Sequence, residues 1–256
     1  MTPQQFDSFC EFRFEFKSYC DAQNAAFASI LPPLVQEAGK ADTPDYPLET
    51  AVVYNTALDG ITAESNIRLI VVGDNPGKDE QRSANRAYLV GQSGKLAAGF
   101  FSKRPELRTD FRANALILNK TPVHTAKTKH LSFLEKNGGE AVRTLIAESQ
   151  LFMAKKTAEL HQSLLSFAAD GAPELWLVGY SELKPRGIFL RYRDALQEAY
   201  ERAPKSAWER VLVFQHFSMN RFSIDVNTFC AQNECLPLAD ALRALGTLHR
   251  TDIFGR

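Results

Sequence analysis

The stretch Ile67-Arg68-Leu69-Ile70-Val71-Val72 runs straight into Gly73-Asp74-Asn75-Pro76-Gly77. A short apolar, β-branched run closed by glycine and proline reads as a buried strand followed by a turn. That turn carries a carboxylate and an amide, groups that can position a water molecule. Three further apolar runs follow it: Ala115–Leu118, ending at Asn119; Leu175–Val178, ending at Gly179; and Val211–Phe214, running into Gln215-His216-Phe217-Ser218. Helical patterns lie between and after them: Ser93–Phe101, Glu140–Phe167 (opened by Asn137-Gly138-Gly139), Ile188–Tyr200 and Pro237–Leu248. Strands alternating with helices imply a parallel sheet covered on both faces. Each gap is long enough for a crossover helix. The expected fold is a three-layer α/β/α arrangement around a central, mainly parallel four-stranded sheet. In such a sheet, loops at the carboxyl ends of neighbouring strands open into one crevice.

Before the first strand, Thr2-Pro3 is a good helix start, with a capping hydroxyl and an early proline. Phe6, Phe9, Cys10, Phe16, Tyr19 and Cys20 suit a helical face, although Phe12, Phe14 and Phe16 also alternate as a strand would. The spacing favours a helix that ends at Pro32-Pro33, followed by a polar connection from Lys40 to Leu48. The 256 residues, 45% of them hydrophobic, suffice for one large core. They read as a single domain with an N-terminal helical extension up to about residue 48.

Lys plus Arg and Asp plus Glu each total 30, so the formal net charge is +0. No bulk field draws this chain to a polyanion, which would have to be held by a local patch. The best such patch is Lys120 to His130, a stretch without an acidic residue, which reads equally well as a solvated loop. Cys10, Cys20, Cys230 and Cys235 form no CxxC pair, so reduced cytoplasmic thiols are expected rather than disulfides or zinc. No His/Asp/Glu cluster has ligand spacing, and no metal or cofactor is expected. The N-terminus lacks an apolar signal core, and no apolar run approaches the roughly 20 residues that span a bilayer.

Each candidate motif has an ordinary and a chemical reading. Asn75-Pro76-Gly77 is a turn sequence, yet its proline and glycine also let backbone approach a ligand and aim the Asn75 amide inward. Asp74 beside it is a candidate base. Tyr88-Leu89-Val90-Gly91-Gln92-Ser93-Gly94 is a strand-to-helix turn or an anion seat at a helix start. It is not a Walker loop, because the GxxxxGK[ST] spacing is absent. Asn119 is a turn residue or a bidentate reader of a pyrimidine edge. His216 is a structural histidine or a group that stabilises a leaving anion. Ser218, Asn220 and Arg221 just after it add donors suited to phosphate.

Taken in order, these loops resemble the uracil-DNA glycosylase superfamily over about residues 52–222. The order is a water-activating GxxPG-type loop, an aromatic-VG-xx-G segment entering a helix, an asparagine after a strand and a late HxSx loop. Gly73 to Leu96 is similar to the thermophilic-type pattern GEAPG…PFVG…GxLL. Asn75-Pro76-Gly77 is similar to the NPG of the mismatch-specific and single-strand-selective branches. Asn119-Lys120-Thr121-Pro122 resembles the N-x-x-P loop of the latter, and His216-Phe217-Ser218-Met219 resembles HPSP. Phe217 and Met219 stand where the family has prolines, Leu89 stands at the aromatic position, and the cysteines miss the iron–sulfur positions.

The resemblance implies a metal-free, monomeric DNA glycosylase of base excision repair. It would flip uracil or a related deaminated base from DNA, hydrolyse its N-glycosidic bond and release the free base. Asn75, Asp74 and His216 would be catalytic. Gly73, Tyr88, Leu89 and Asn119 would hold the base. Ser93, Lys120, Ser218 and Arg221 would touch DNA phosphates. The alternative it leaves open is a catalytically inactive relative that binds a nucleobase, nucleotide or DNA in the same pocket.

Overall fold

The computed structural model describes residues 1–166, 172–233 and 235–255. The strands are β1 (Leu69–Gly73), β2 (Ala115–Asn119), β3 (Glu174–Val178) and β4 (Val211–Phe214). They form one sheet in the order β2-β1-β3-β4, and every pairing is parallel. Nearly every strand residue is buried, as a sheet covered on both faces requires. The architecture is the expected three-layer α/β/α fold.

Helices cover both faces. On one lie α3 (Gln92–Ser102), α8 (Arg221–Gln232) and α9 (Leu238–Phe254). Trp176 and Phe214 of the sheet meet Phe101 of α3 and Phe222 of α8 there, with ring centroids 4.6–5.8 Å apart. Such aromatic packing contributes about 0.5–1.5 kcal/mol per pair beyond area burial. On the other side α5 (Gly139–Ser166) packs against α4 (His130–Asn137) and α6 (Leu190–Ala199). The expected end of α5, residue 167, lies outside the described residues. A single turn, α7 (Lys205–Trp208), leads into β4.

The N-terminal region departs from the expectation in one respect. Its first helix, α1 (Pro3–Ala26), stops early, and Pro32-Pro33 open a second helix, α2 (Leu31–Gly39). Proline is tolerated in a first turn, where its missing N–H has no intrahelical partner anyway. Thr2 and Gln5 form a capping box on α1. The strand-like alternation of Phe12, Phe14 and Phe16 leaves Phe14 exposed while the other two enter the core. The α1 helix lies along α5, with Tyr19 stacked on Phe152 at 4.2 Å and Gln5 Nε2 donating to Leu164 O at 2.7 Å. Its phenylalanines join the same core as the sheet.

The sheet order fixes where a ligand can sit. From β1 the chain goes to β2 on one side, then returns past β1 to β3 on the other. Loops therefore part between β1 and β3 at their carboxyl ends, the switch point at which doubly wound sheets bind ligands.

The α9 helix meets β4 through Gly246, where an added Cβ would lie 2.7 Å from Leu212 Cβ and 2.8 Å from Phe214 Cζ. Gly246→Ala should therefore cost about 1–3 kcal/mol by overpacking. Urea unfolding read by circular dichroism measures this, and an unchanged midpoint would contradict such close contact.

Candidate functional site

A cleft of about 380 Å³ opens at the carboxyl ends of the strands. All four following loops line it. The β1 loop supplies Asp74, Asn75, Gly77, Glu80 and Leu89, with Ser93 from the start of α3. The β2 loop supplies Asn119 and Thr125 to Thr128. Gly179, Ser181 and Glu182 come from the β3 loop, and Gln215, His216, Ser218 and Arg221 from the β4 loop.

The floor is built around Lys120. Its side chain is 0% exposed. Nζ donates to Asp74 Oδ1 at 2.6 Å, to Val178 O at 2.5 Å and to Gly73 O at 3.3 Å. These three acceptors use every N–H of the ammonium. They also tie β1 to β3 at the switch point. Gly179 follows with φ +98°, and a Cβ there would lie 2.2 Å from Asp74 Oδ1. Only glycine permits both that conformation and that approach.

Asn75 is held by its nitrogen. Nδ2 donates to Thr125 Oγ1 at 2.8 Å and, at longer range, to Val123 O and Pro76 O. The Thr125 hydroxyl itself donates to Lys127 O at 2.9 Å, so towards Asn75 it accepts. The amide orientation follows, and Oδ1 is the atom left as an acceptor. Pro76 O takes a second anchor from His124, whose Nδ1 is 2.8 Å away and whose Nε2 meets Tyr46 Oη at 2.9 Å. Burial pushes the His124 ring down to about 4, so it is neutral and structural.

Asn119 is the register partner of Gly73 and lies at the cleft floor. Gly73 itself does not line the cleft. Its missing side chain admits Asn119 Oδ1, which a Cβ would approach to 2.5 Å. Asn119 Nδ2 is buried without a hydrogen-bond partner. An unsatisfied buried donor costs about 1–3 kcal/mol, and this one lies at the cleft floor, within reach of an acceptor on a ligand seated there.

His216 points its chemistry through its tautomer. Ser218 N donates to Nδ1 at 3.1 Å, and Ser218 Oγ is 2.8 Å from the same atom. Nδ1 is therefore an acceptor, and the neutral ring carries its proton on Nε2. Burial lowers the ring's pKa, with Lys120 acting in the same sense and Asp74 against it. Phe217 anchors this loop in the core, buried against Phe222 and Phe111 at 4.8 and 5.9 Å.

The structure brings Asp74, Asn75, Leu89, Ser93, Asn119, His216, Ser218 and Arg221 to one cleft. Three expected residues do not line it: Gly73, whose side-chain space Asn119 fills, and two that take other roles. Lys120, expected at a phosphate, is enclosed beneath the cleft floor and reaches no external anion. Tyr88, expected against a base, is buried in the core with its hydroxyl on Val53 O at 2.5 Å. The basic stretch Lys120 to His130 is also less available than its sequence implies. Lys127, Lys129 and His130 all meet Asp42 from the N-terminal extension, at 3.2, 2.5 and 2.9 Å. Lys129 and its neighbours hold that carboxyl well below the usual range.

Three residues escaped sequence reasoning. Glu80 is buried, and its oxygens accept from Leu89 N at 2.7 Å and Gly77 N at 3.0 Å. Thr125 orients Asn75. Met219 stands 76% exposed at the tip of the β4 loop, with φ +54°. Glu80 and Thr125 carry no local signal, because their importance lies in partners that meet them only after folding. Among the described residues, no group of three or more His, Cys, Asp or Glu could hold a metal ion, and no helix is long and apolar enough to cross a membrane. The chain matches no protein-family profile, no curated protein and no solved structure.

Lys120→Met removes the cation paired with Asp74. It should destabilise the fold by about 3–5 kcal/mol, because the carboxylate is left buried and unpaired. Adding Asp74→Asn should recover a large part of that loss, as urea unfolding of the single and double variants will show. Full additivity of the two effects would refute the pairing.

Proposed function

We propose that this cleft accepts a base flipped out of DNA, uracil or a related deaminated base, and hydrolyses its N-glycosidic bond. The observation that carries the reading is the convergence of Asn75, Asn119 and His216 on one cleft, from the ends of three different strands. A duplex base must leave its stack before a protein can reach that bond. Met219 is an exposed apolar tip of the kind that wedges into a vacated step. In the cleft, the Asn119 amide faces the edge of the base and Leu89 packs on its plane. The Asn75 carbonyl oxygen accepts a hydrogen bond from the attacking water and aims it at the sugar, and the proton this water sheds ends on the departing base anion.

Glycosidic cleavage builds positive charge on the sugar and negative charge on the departing base. Asp74 commits one oxygen to Lys120 and keeps the other for the cationic side. His216 offers a neutral Nε2–H to the anionic side. A preorganised donor of that kind contributes about 10²–10³-fold in rate. Ser93, Ser218 and Arg221 at the rim are the groups for flanking phosphates.

A second reading has its own support. The cleft wall carries Asp74, Glu80 and Glu182, while its Lys127 is ion-paired with Asp42. That balance suits an uncharged nucleobase or nucleoside held without turnover. Oligonucleotides bearing a single uracil, hypoxanthine or xanthine separate the two. The first reading expects alkali-labile sites with at least one of these bases, and at least a ~10²-fold fall in turnover for Asn75→Ala and for His216→Ala. Uracil binding should survive in the Asn75 variant. Intact oligonucleotides in every case, single- and double-stranded, would end the glycosylase reading and leave the binding one.

A further inference from the structure

Glu80 joins the two halves of the long loop that follows β1. Its Oε2 accepts from Gly77 N at 3.0 Å, on the Asn75-Pro76-Gly77 turn, and its Oε1 accepts from Leu89 N at 2.7 Å. Leu89 has φ +53°, a strained conformation for a branched side chain, and needs such anchoring. Its carbonyl is gripped from the other side by Arg112 Nη2. Glu80 is buried, yet it lines the cleft between the residue that would orient water and the residue that would pack on the base.

We infer that Glu80 is a positioning residue whose charged carboxylate clamps the Asn75 turn to Leu89, so that proton uptake by this one group loosens the site. The inference rests on reading this cleft as the reaction site. A carboxylate presents two good acceptors, one for each amide. Once protonated, one oxygen becomes a hydroxyl that accepts poorly, and one of the two amides loses its partner.

Burial pushes the Glu80 carboxyl up to about 7, against the lowering effect of the Gly77 and Leu89 amides. Asp79 on its own turn pushes the same way as burial, and Arg112 opposes them. The Tyr88 phenol lies near it within the core. Across the cleft stand Asp74, Lys127, Glu182, His216 and Arg221. Of these, burial lowers the His216 ring's pKa from its ordinary value.

The test is a pH profile of kcat/KM on uracil-containing DNA, together with substrate-free unfolding, for wild type, Glu80→Gln and Asp79→Asn. Activity should rise about tenfold per pH unit below an acid limb near 7 and level off above it. Glu80→Gln should lose that limb and, above about pH 8, turn over more slowly than wild type. Asp79→Asn should move the limb to lower pH, and it serves alone if the glutamine variant does not fold. The sign of the stability effect is set by the raised folded-state value. The folded chain holds the proton more tightly than the unfolded one, so wild type loses stability relative to Glu80→Gln as pH climbs from about 4.5 to about 7, and above that the difference stays constant. A limb that persists unmoved in both variants, or the absence of that relative loss, overturns the clamp. The relative loss in a protein that cleaves no base upholds the clamp and removes the glycosylase reading instead.

Discussion

A single ammonium group underlies the site. Lys120 leaves the end of β2, passes beneath the end of β1 and places Nζ against Asp74 Oδ1, Gly73 O and Val178 O. Where the loops of a doubly wound sheet part, strand-end carbonyls lack neighbours in the ladder. Lys120 supplies them with donors and closes the floor of the crevice from below. Taking a charge fully out of water is costly, and it persists only where the geometry uses the charge completely. Here the Phe189 ring, 5.0 Å away, adds a favourable face. Much follows from this seat. Asp74 is fixed, Gly179 is obligatory, and β1 and β3 cannot separate at the point where the cleft begins.

The walls depend on polar anchors rather than on regular structure. The Asn75 turn is held by Thr125, by His124 through Pro76 O, and by Glu80 through Gly77 N. The N-terminal extension takes part in this. Tyr46 meets His124, Asn24 bonds both the N–H and the C=O of Val52, and Asp42 gathers the cations of the β2 loop. Residues 1 to about 48 thus brace the loops of the cleft as well as adding core. Backbone at positive φ occurs at Leu89 on the β1 loop and at Met219 and Asn220 on the β4 loop. Strain of this kind persists only where surrounding contacts over-determine it.

The same anchors shape the electrostatics. Two cations that might have faced a polyanion are paired with the chain's own carboxylates, Lys120 buried on Asp74 and Lys127 half-exposed on Asp42. What the cleft presents instead is a set of oriented dipoles: an amide oxygen at Asn75, an uncompensated amide at Asn119 and a neutral imidazole N–H at His216. Fixed dipoles in a water-poor site stabilise developing charge without reorganising, whereas a flexible surface cation must first be ordered.

The sequence alone determined the layer architecture and where its strands end. The runs Leu69 to Val72 and Val211 to Phe214 need no partner to be recognised, because β-branched apolar residues bounded by turn chemistry have few other uses. Asn75, Asn119 and His216 were legible for the same reason, since each sits where a parallel strand must stop. Tertiary structure decided what the neighbouring polar residues do. Lys120 and Tyr88 read as surface or pocket groups, because burial belongs to the partners that cover them and not to their own spacing. Glu80, Thr125 and Asp42 were silent for the converse reason. A carboxylate or hydroxyl in a loop is ordinary until folding sets a particular amide, hydroxyl or ammonium within about 3 Å of it. For Thr125 and Asp42 that proximity spans 50 residues of chain or more, and for Glu80 it depends on an irregular loop fold that no helical or strand period records.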